Sequence, residues 1–259
     1  RITSRDTSTS MRLIVFSVLS VFFFAGCGAS LPKGAAGPNA EALTDSILSA
    51  VNAEDWRSLP AVRWNFRGDN LHVWDKEAHR AFVRWDDYEA WIDIDGRRGR
   101  AREDGQWLEG EDASSVLDEA HAHWVNDSFW LNPLVKIRDP GTERFIVDDP
   151  ERGRGLLVRF REGGRTPGDA YLWWLDGNNR PVAWQMWVSN VPIGGFEASW
   201  EAWLQLEGGA WVSTFHDSSL VSIEMGDVAG GSSPEELGVS FEVLDVCPGE
   251  PGCAAFDLN

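Results

Sequence analysis

The sequence predicts an α+β protein: one large, strongly curved antiparallel sheet with a few helices packed against one face. Three observations carry this. Short blocks of period-two alternation recur along most of the chain, separated by turn-forming pairs such as Asp69-Asn70, Asp86-Asp87 and Asp95-Gly96. Helical periodicity is confined to two stretches. Fifteen tryptophans against two tyrosines promise a bulky aromatic core or an apolar cavity with aromatic walls.

The first helix is expected over Ala40–Asn52, where Leu43, Ile47, Leu48 and Val51 form one apolar stripe. From Val62 the period becomes two, and Val62–Phe66, Leu71–Trp74, Ala81–Trp85 and Tyr88–Ile94 read as an antiparallel meander. An arginine-rich strand and Gln106–Leu108 follow. Ser114 or Asp112 is placed to cap a second helix over about Ser115–Leu131, ended by Pro133. Strands resume at Arg144–Val147, Leu156–Arg161, Tyr171–Leu175, Pro181–Ser189, Phe196–Leu206, Trp211–His216 and Val239–Val243. Asp176-Gly177-Asn178-Asn179 is a hairpin turn between two of them.

Ahead of this region, Met11 to Cys27 has the layout of a bacterial lipoprotein signal peptide. Arg12 is followed by an apolar run, then Ala25-Gly26-Cys27. The run is shorter than the about 20 residues a membrane span needs. The expected organisation is an over-extended terminus at 1–10, a signal at 11–26, a lipid-modified Cys27 with a Gly/Pro-rich tether to residue 40, and one domain over 41–259. A lipid on Cys27 would make the membrane a partner and place the protein in the cell envelope. Gly28 in place of aspartate points to the outer membrane by analogy with enterobacterial sorting. In that oxidising compartment Cys247 and Cys253, flanking Pro-Gly-Glu-Pro-Gly, are expected to pair as a structural clip. The net charge of −18 opposes nucleic-acid binding.

Catalytic and metal signals are thin. There is no HExxH, clustered Cys/His spacing, nucleophile elbow or phosphate-binding glycine loop, so no cofactor and no metal is expected. His121 and His123 lie two apart on a helix and point away from each other. His72 and His79 sit in or beside neighbouring strands and can approach. Asp93-Ile94-Asp95-Gly96 fits turn chemistry better than a calcium loop. Late in the second helix, Asn126 and Asp127 fall among aromatic residues and need hydrogen-bond partners if buried. Lys136 and Asp139 follow closely, and these four residues are the candidate polar anchor at a cavity mouth, or a structural corner.

The run Asn126-Asp127-Ser128-Phe129-Trp130-Leu131, continuing through Pro133, Lys136 and Asp139-Pro140-Gly141, resembles an uncharacterised family of exported bacterial proteins. Thr166-Pro167-Gly168-Asp169-Ala170-Tyr171-Leu172-Trp173-Trp174-Leu175-Asp176 and Arg180-Pro181-Val182-Ala183-Trp184 extend it. This second half is also similar to the LolA/LolB-like superfamily of lipoprotein carriers and sorting proteins. The likeness runs over roughly Ala40–Ser219. It implies a half-open antiparallel barrel whose helices form a lid over an apolar cavity, and a non-catalytic role in holding an acyl chain, a lipoprotein or another apolar ligand. Trp91, Trp124, Phe129, Trp130, Trp173 and Trp187 are the candidate wall residues. The alternatives are a carbohydrate- or peptidoglycan-binding module, expected to expose its tryptophans, and an envelope hydrolase with an Asp/His pair, expected to gather carboxylates and a histidine in one cleft.

Overall fold

A computed structural model of the chain describes residues 29–162, 167–189, 193–247 and 253–257. Met11–Ala25 and Cys27 lie outside them. The first helix, α1 (Pro38–Ala50), buries Leu43, Ile47 and Leu48 of the predicted stripe together with Ala40 and Thr44, and Val51 is buried as its C-cap. A one-turn helix α2 (Ala53–Ser58) follows.

Six strands then form the meander: β1 (Ala61–Phe66), β2 (Asn70–Asp75), β3 (Arg80–Trp85), β4 (Tyr88–Asp93), β5 (Arg98–Glu103) and β6 (Gln106–Trp107). The long helix α3 (Gly110–Leu131) crosses to a 3-10 turn at Pro133–Lys136. It starts five residues before the predicted Ser115, and neither Asp112 nor Ser114 caps it. The second meander comprises β7 (Thr142–Asp149), β8 (Gly153–Phe160), β9 (Ala170–Leu175), β10 (Pro181–Trp187), β11 (Phe196–Ser199), β12 (Glu201–Gln205), β13 (Trp211–His216) and β14 (Ile223–Gly231). A short β15 (Ala254–Ala255) closes the described chain.

The strands make two antiparallel sheets, ordered β11-β10-β9-β8-β7 and β12-β13-β14-β1-β2-β3-β4-β5-β15, with β6 beside β5. What was expected as one strand over Phe196–Leu206 is broken at Trp200, and this break joins the sheets. Trp200 N–H still bonds to Val182 of β10 while Ser199 N–H already bonds to Asp217, and Ala202 takes a positive φ of 49°. The result is an open, curved antiparallel sheet with the helices against its concave face. Among the described residues no helix is long and apolar enough to cross a membrane.

Alternation sorts the side chains. Val62, Trp64, Phe66, His72, Trp74, Val83, Trp85, Ala90 and Ile92 face inward, where α3 supplies Val116, Leu117, Ala120 and Leu131. Leu71, Val73, Phe82 and Trp91 face outward. Gly99 is required by this packing, because a Cβ there would lie 2.3 Å from the Trp91 carbonyl oxygen and 2.8 Å from Leu117.

Two expectations are corrected. Val239–Val243 is not a strand; its segment lays Leu237, Phe241 and Leu244 across the outer face of β1–β4. The strand in that part of the chain is β14, which returns beside β1 and makes the two meanders continuous. The expected tether is also partly docked: Ala35 exchanges both backbone hydrogen bonds with Ile146, at 2.8 and 2.9 Å, and Leu31 packs on the outer face of β7–β10.

Cys247 and Cys253 are disulfide-bonded. The bridge holds the chain where it passes around the sheet edge, from Leu244 and Cys247 outside to Phe256 beneath α3. Closing so short a loop restricts the unfolded chain by about 2 kcal/mol. Cys253→Ala should therefore lower the unfolding free energy measured in urea by that amount, seen as a lower midpoint. An unmoved midpoint would show that the bridge contributes nothing to the fold.

Candidate functional site

The concave interior is closed by aromatic rings from both layers. Tyr171 and Trp173 on β9, Trp184 on β10 and Trp200 at the strand break form its floor. Phe129 and Trp130, at the C-terminal end of α3, reach into it. Trp130 meets Trp184 edge-on at 4.9 Å between centroids, and Phe129 lies 5.0 Å from Tyr171 and 6.2 Å from Trp184. Further along the helix Trp124 meets Trp74 of β2 at 5.3 Å. Such pairs add about 0.5–1.5 kcal/mol each beyond their buried area.

The expected aromatic space is thus present but filled by its own rings. The two surface hollows beside α1, of about 470 and 510 Å³, have no aromatic lining; Asp45, Ser49, Asn178, Glu54 and Arg138 are among their walls.

Four of the six predicted wall residues, Trp124, Phe129, Trp130 and Trp173, are brought to this interior. The other two are not. Trp91 alternates to the outer face, where its indole donates to the Ser240 carbonyl at 3.1 Å. Trp187 stands opposite to Trp184 and Met186 on β10, and its indole donates to the Ala29 carbonyl at 2.7 Å. Period two across a strand decides both.

Under the C-terminal third of α3 lies a polar node built around a buried pair. His72 Nε2 donates to Asp127 Oδ2 at 2.7 Å, and both side chains are essentially inaccessible, at 0% and 1%. Asn70 Nδ2 donates to the same oxygen at 2.9 Å and to His123 Nδ1 at 3.2 Å. Asn126 Nδ2 donates to Asp127 Oδ1 at 2.8 Å. Burial holds the His72 imidazole below its usual range, against the opposing pull of Asp127. The neutral ring then stacks on Trp64, 4.5 Å away and 11° from parallel. Asp127 is thus the buried member, with two of its partners, His72 and Asn70, on β2, whereas Asn126 is exposed and bonds to Asp127 on its own helix.

Lys136 and Asp139 belong elsewhere. They pair with each other at 3.9 Å and stay about half exposed. The approach of His72 to His79 is also not made: His79 sits in the exposed turn before β3 and contacts Asp95 at 3.1 Å.

Sequence reasoning missed His216, which is fully buried against Trp130, Trp184 and Trp200. Its Nδ1 lies 2.9 Å from the Ser199 carbonyl, and burial lowers its pKa to about 4, against the raising effect of the Ser199 and Trp130 carbonyls. Its inward position in the strand Trp211–His216 was the available signal. Among the described residues no group of three His, Cys, Asp or Glu side chains is placed to hold a metal ion.

No family model and no curated protein matches the sequence. Two solved structures are similar in shape at 9% identity. A DUF1329 family protein from Desulfovibrio piger has a TM-score of 0.39 over 79% of this chain and 96% of its own. A putative outer membrane lipoprotein-sorting protein domain from Vibrio parahaemolyticus has a TM-score of 0.34 over 77% and 96%. Likeness of this degree fixes no function.

Proposed function

We propose that this protein is a lipid-anchored envelope protein that binds an apolar ligand, an acyl chain or the lipid of a lipoprotein, without catalysis. The site is the aromatic interior of the curved sheet. The observation that carries this is the way Phe129 and Trp130 of α3 fill the floor made by Tyr171, Trp173, Trp184 and Trp200. Around the site α3 meets the sheet through side chains, with no backbone ladder between them. The helix can be displaced as a body, and a ligand chain can take the place of its two rings. Apolar burial, on the order of 25 cal/mol per Å² before ordering costs, drives the exchange.

The alternatives fit less well. Of the large hydrophobic side chains that are well exposed among the described residues, Trp107 is the one tryptophan, which leaves a glycan reader with a single platform. The Asp127–His72 pair has the composition a hydrolase needs, but it is sealed between α3 and β2.

Native mass spectrometry with lipid extraction tests the reading. The full chain with Cys27→Ser, which blocks covalent lipidation, is purified from a bacterial envelope. An acyl lipid is expected to co-purify and to be lost, by about tenfold, in Trp130→Gln with the fold intact by circular dichroism. A consistently empty protein whose tryptophan fluorescence ignores added fatty acid would end the acyl-binding reading. Intact mass of the unmutated chain, purified in parallel, checks the anchor: it should gain diacylglycerol and fatty-acyl mass beginning at Cys27.

A further inference from the structure

Indole N–H groups divide by face in this protein. On the outer faces they are met: Trp91 by Ser240, Trp187 by Ala29, and Trp174 by the side-chain oxygen of Gln185 at 3.2 Å. Beneath the helical layer they are not. Nε1 of Trp64, Trp74, Trp124, Trp173, Trp184 and Trp200 is buried and meets no hydrogen-bond acceptor among the described residues. Trp64, Trp173, Trp184 and Trp200 are each at least 97% buried.

An indole nitrogen can only donate, and burying it unmet is unfavourable. Native interiors keep such atoms to a few per hundred residues. Here six lie in the interior between the helices and the sheets, five from the sheet side and Trp124 from α3, and three of them (Trp173, Trp184 and Trp200) fall within a single ring cluster. Ordinary core tryptophans would be expected to find carbonyls, as the outer ones do. The inner wall is therefore matched to something that brings acceptors with it.

We infer that the ligand of this interior is an acyl ester, whose two oxygens accept from the indoles of Trp173, Trp184 and Trp200, and not a plain hydrocarbon. This rests on the apolar-binding reading above and names its ligand class. An alkane fills the space but leaves each donor unmet. An ester supplies two acceptor oxygens on an apolar chain and brings no proton of its own. The carbonyl lies in the ring cluster, where Trp184 touches both Trp173 and Trp200, and the chain runs along α3 toward Trp124 and Trp74.

The test uses the full chain carrying Cys27→Ser with ¹⁵N-labelled tryptophan, titrated with methyl decanoate and separately with undecane. The ester is expected to shift three or more indole N–H resonances downfield, and the alkane to leave them near their starting positions. In Trp184→Phe, which keeps an aromatic ring and removes the donor, ester affinity should fall about fivefold more than alkane affinity. Trp173→Phe and Trp200→Phe serve in its place if Trp184→Phe misfolds, and the resonance shifts need no variant. If both probes bind with indole signals unmoved and the ratio unchanged, the ester inference fails while the apolar-binding reading stands. If neither binds, both fall. Dihexanoyl phosphatidylcholine and a diacylated lipopeptide, offered in the same format, identify whether the ester comes from a phospholipid or a lipoprotein by which binds more tightly.

Discussion

Replacing His72 by leucine is expected to destabilise the protein by about 3 kcal/mol, a large share of the 5–15 kcal/mol typical of a folded domain. The reason is the partner left behind. Asp127 is 1% exposed, and its carboxylate accepts from His72, Asn70 and Asn126. Removing the shortest of these donors strands a carboxylate that water cannot reach. Asp127→Leu should cost a similar amount, because it leaves the buried His72 Nε2 with no acceptor and removes one of the two acceptors of Asn70.

The double variant is the sharper experiment. With both polar partners gone, an apolar pair of similar volume should cost well under the sum of the singles, a coupling of about 1.5 kcal/mol or more in urea unfolding. Strict additivity would mean that the two residues do not act as a pair. The same variants report on the helix. Asp127 precedes Phe129 and Trp130 by two and three residues, so His72→Leu should speed amide exchange along α3 more than along β3. Equal acceleration everywhere would show that the node stabilises the whole fold and does not seat the helix.

Legibility of these features in the sequence followed the range of the interactions. The first meander was readable because each strand carries its own alternation and each turn its own Asp, Asn or Gly. Strand β14 was not. Ile223–Gly231 contains three glycines, a bend at Asp227 with φ of 50°, and a register shift opposite Arg63–Asn65. Its glycines answer to distant neighbours: a Cβ on Gly230 would meet Leu59 at 2.9 Å, and one on Gly231 would meet Leu237 at the same distance. Such requirements leave no local pattern. The site divided in the same way. That Asp127 would need partners was visible from its aromatic surroundings. That His72, 55 residues earlier, would be one of them depended on which strand α3 crosses. Trp91 and Trp187 were assigned inward because an aromatic ring alone does not state its face; the parity of the strand does, and parity is set by register.

Acidification should loosen the protein between pH 6.5 and about 4 through its buried histidines. In the unfolded chain an imidazole takes up its proton near pH 6.5. Folded His216 resists protonation until about pH 4, because it is enclosed by Trp130, Trp184 and Trp200 and bonded to the Ser199 carbonyl. Above pH 6.5 both states are neutral and the residue contributes no pH dependence. As the pH falls below that value the unfolded state binds a proton that the folded state does not, so stability declines, and the decline ends near the folded pKa. Over this interval the loss reaches about 3 kcal/mol for His216 alone, and His72, also shifted downward by burial, adds to it. His216→Asn keeps a donor for Ser199 and removes the titration. It should cost stability above pH 6.5 and flatten the slope of urea stability against pH by up to about 1.4 kcal/mol per unit in this window, so that its cost relative to the parent shrinks as the pH falls. A parallel pair of curves would rule His216 out as a source of acid sensitivity. Because this ring lies directly beneath Trp130, its protonation works against the seat of α3. Acid should therefore free Trp130, seen as a red shift of its emission, before the sheet unfolds.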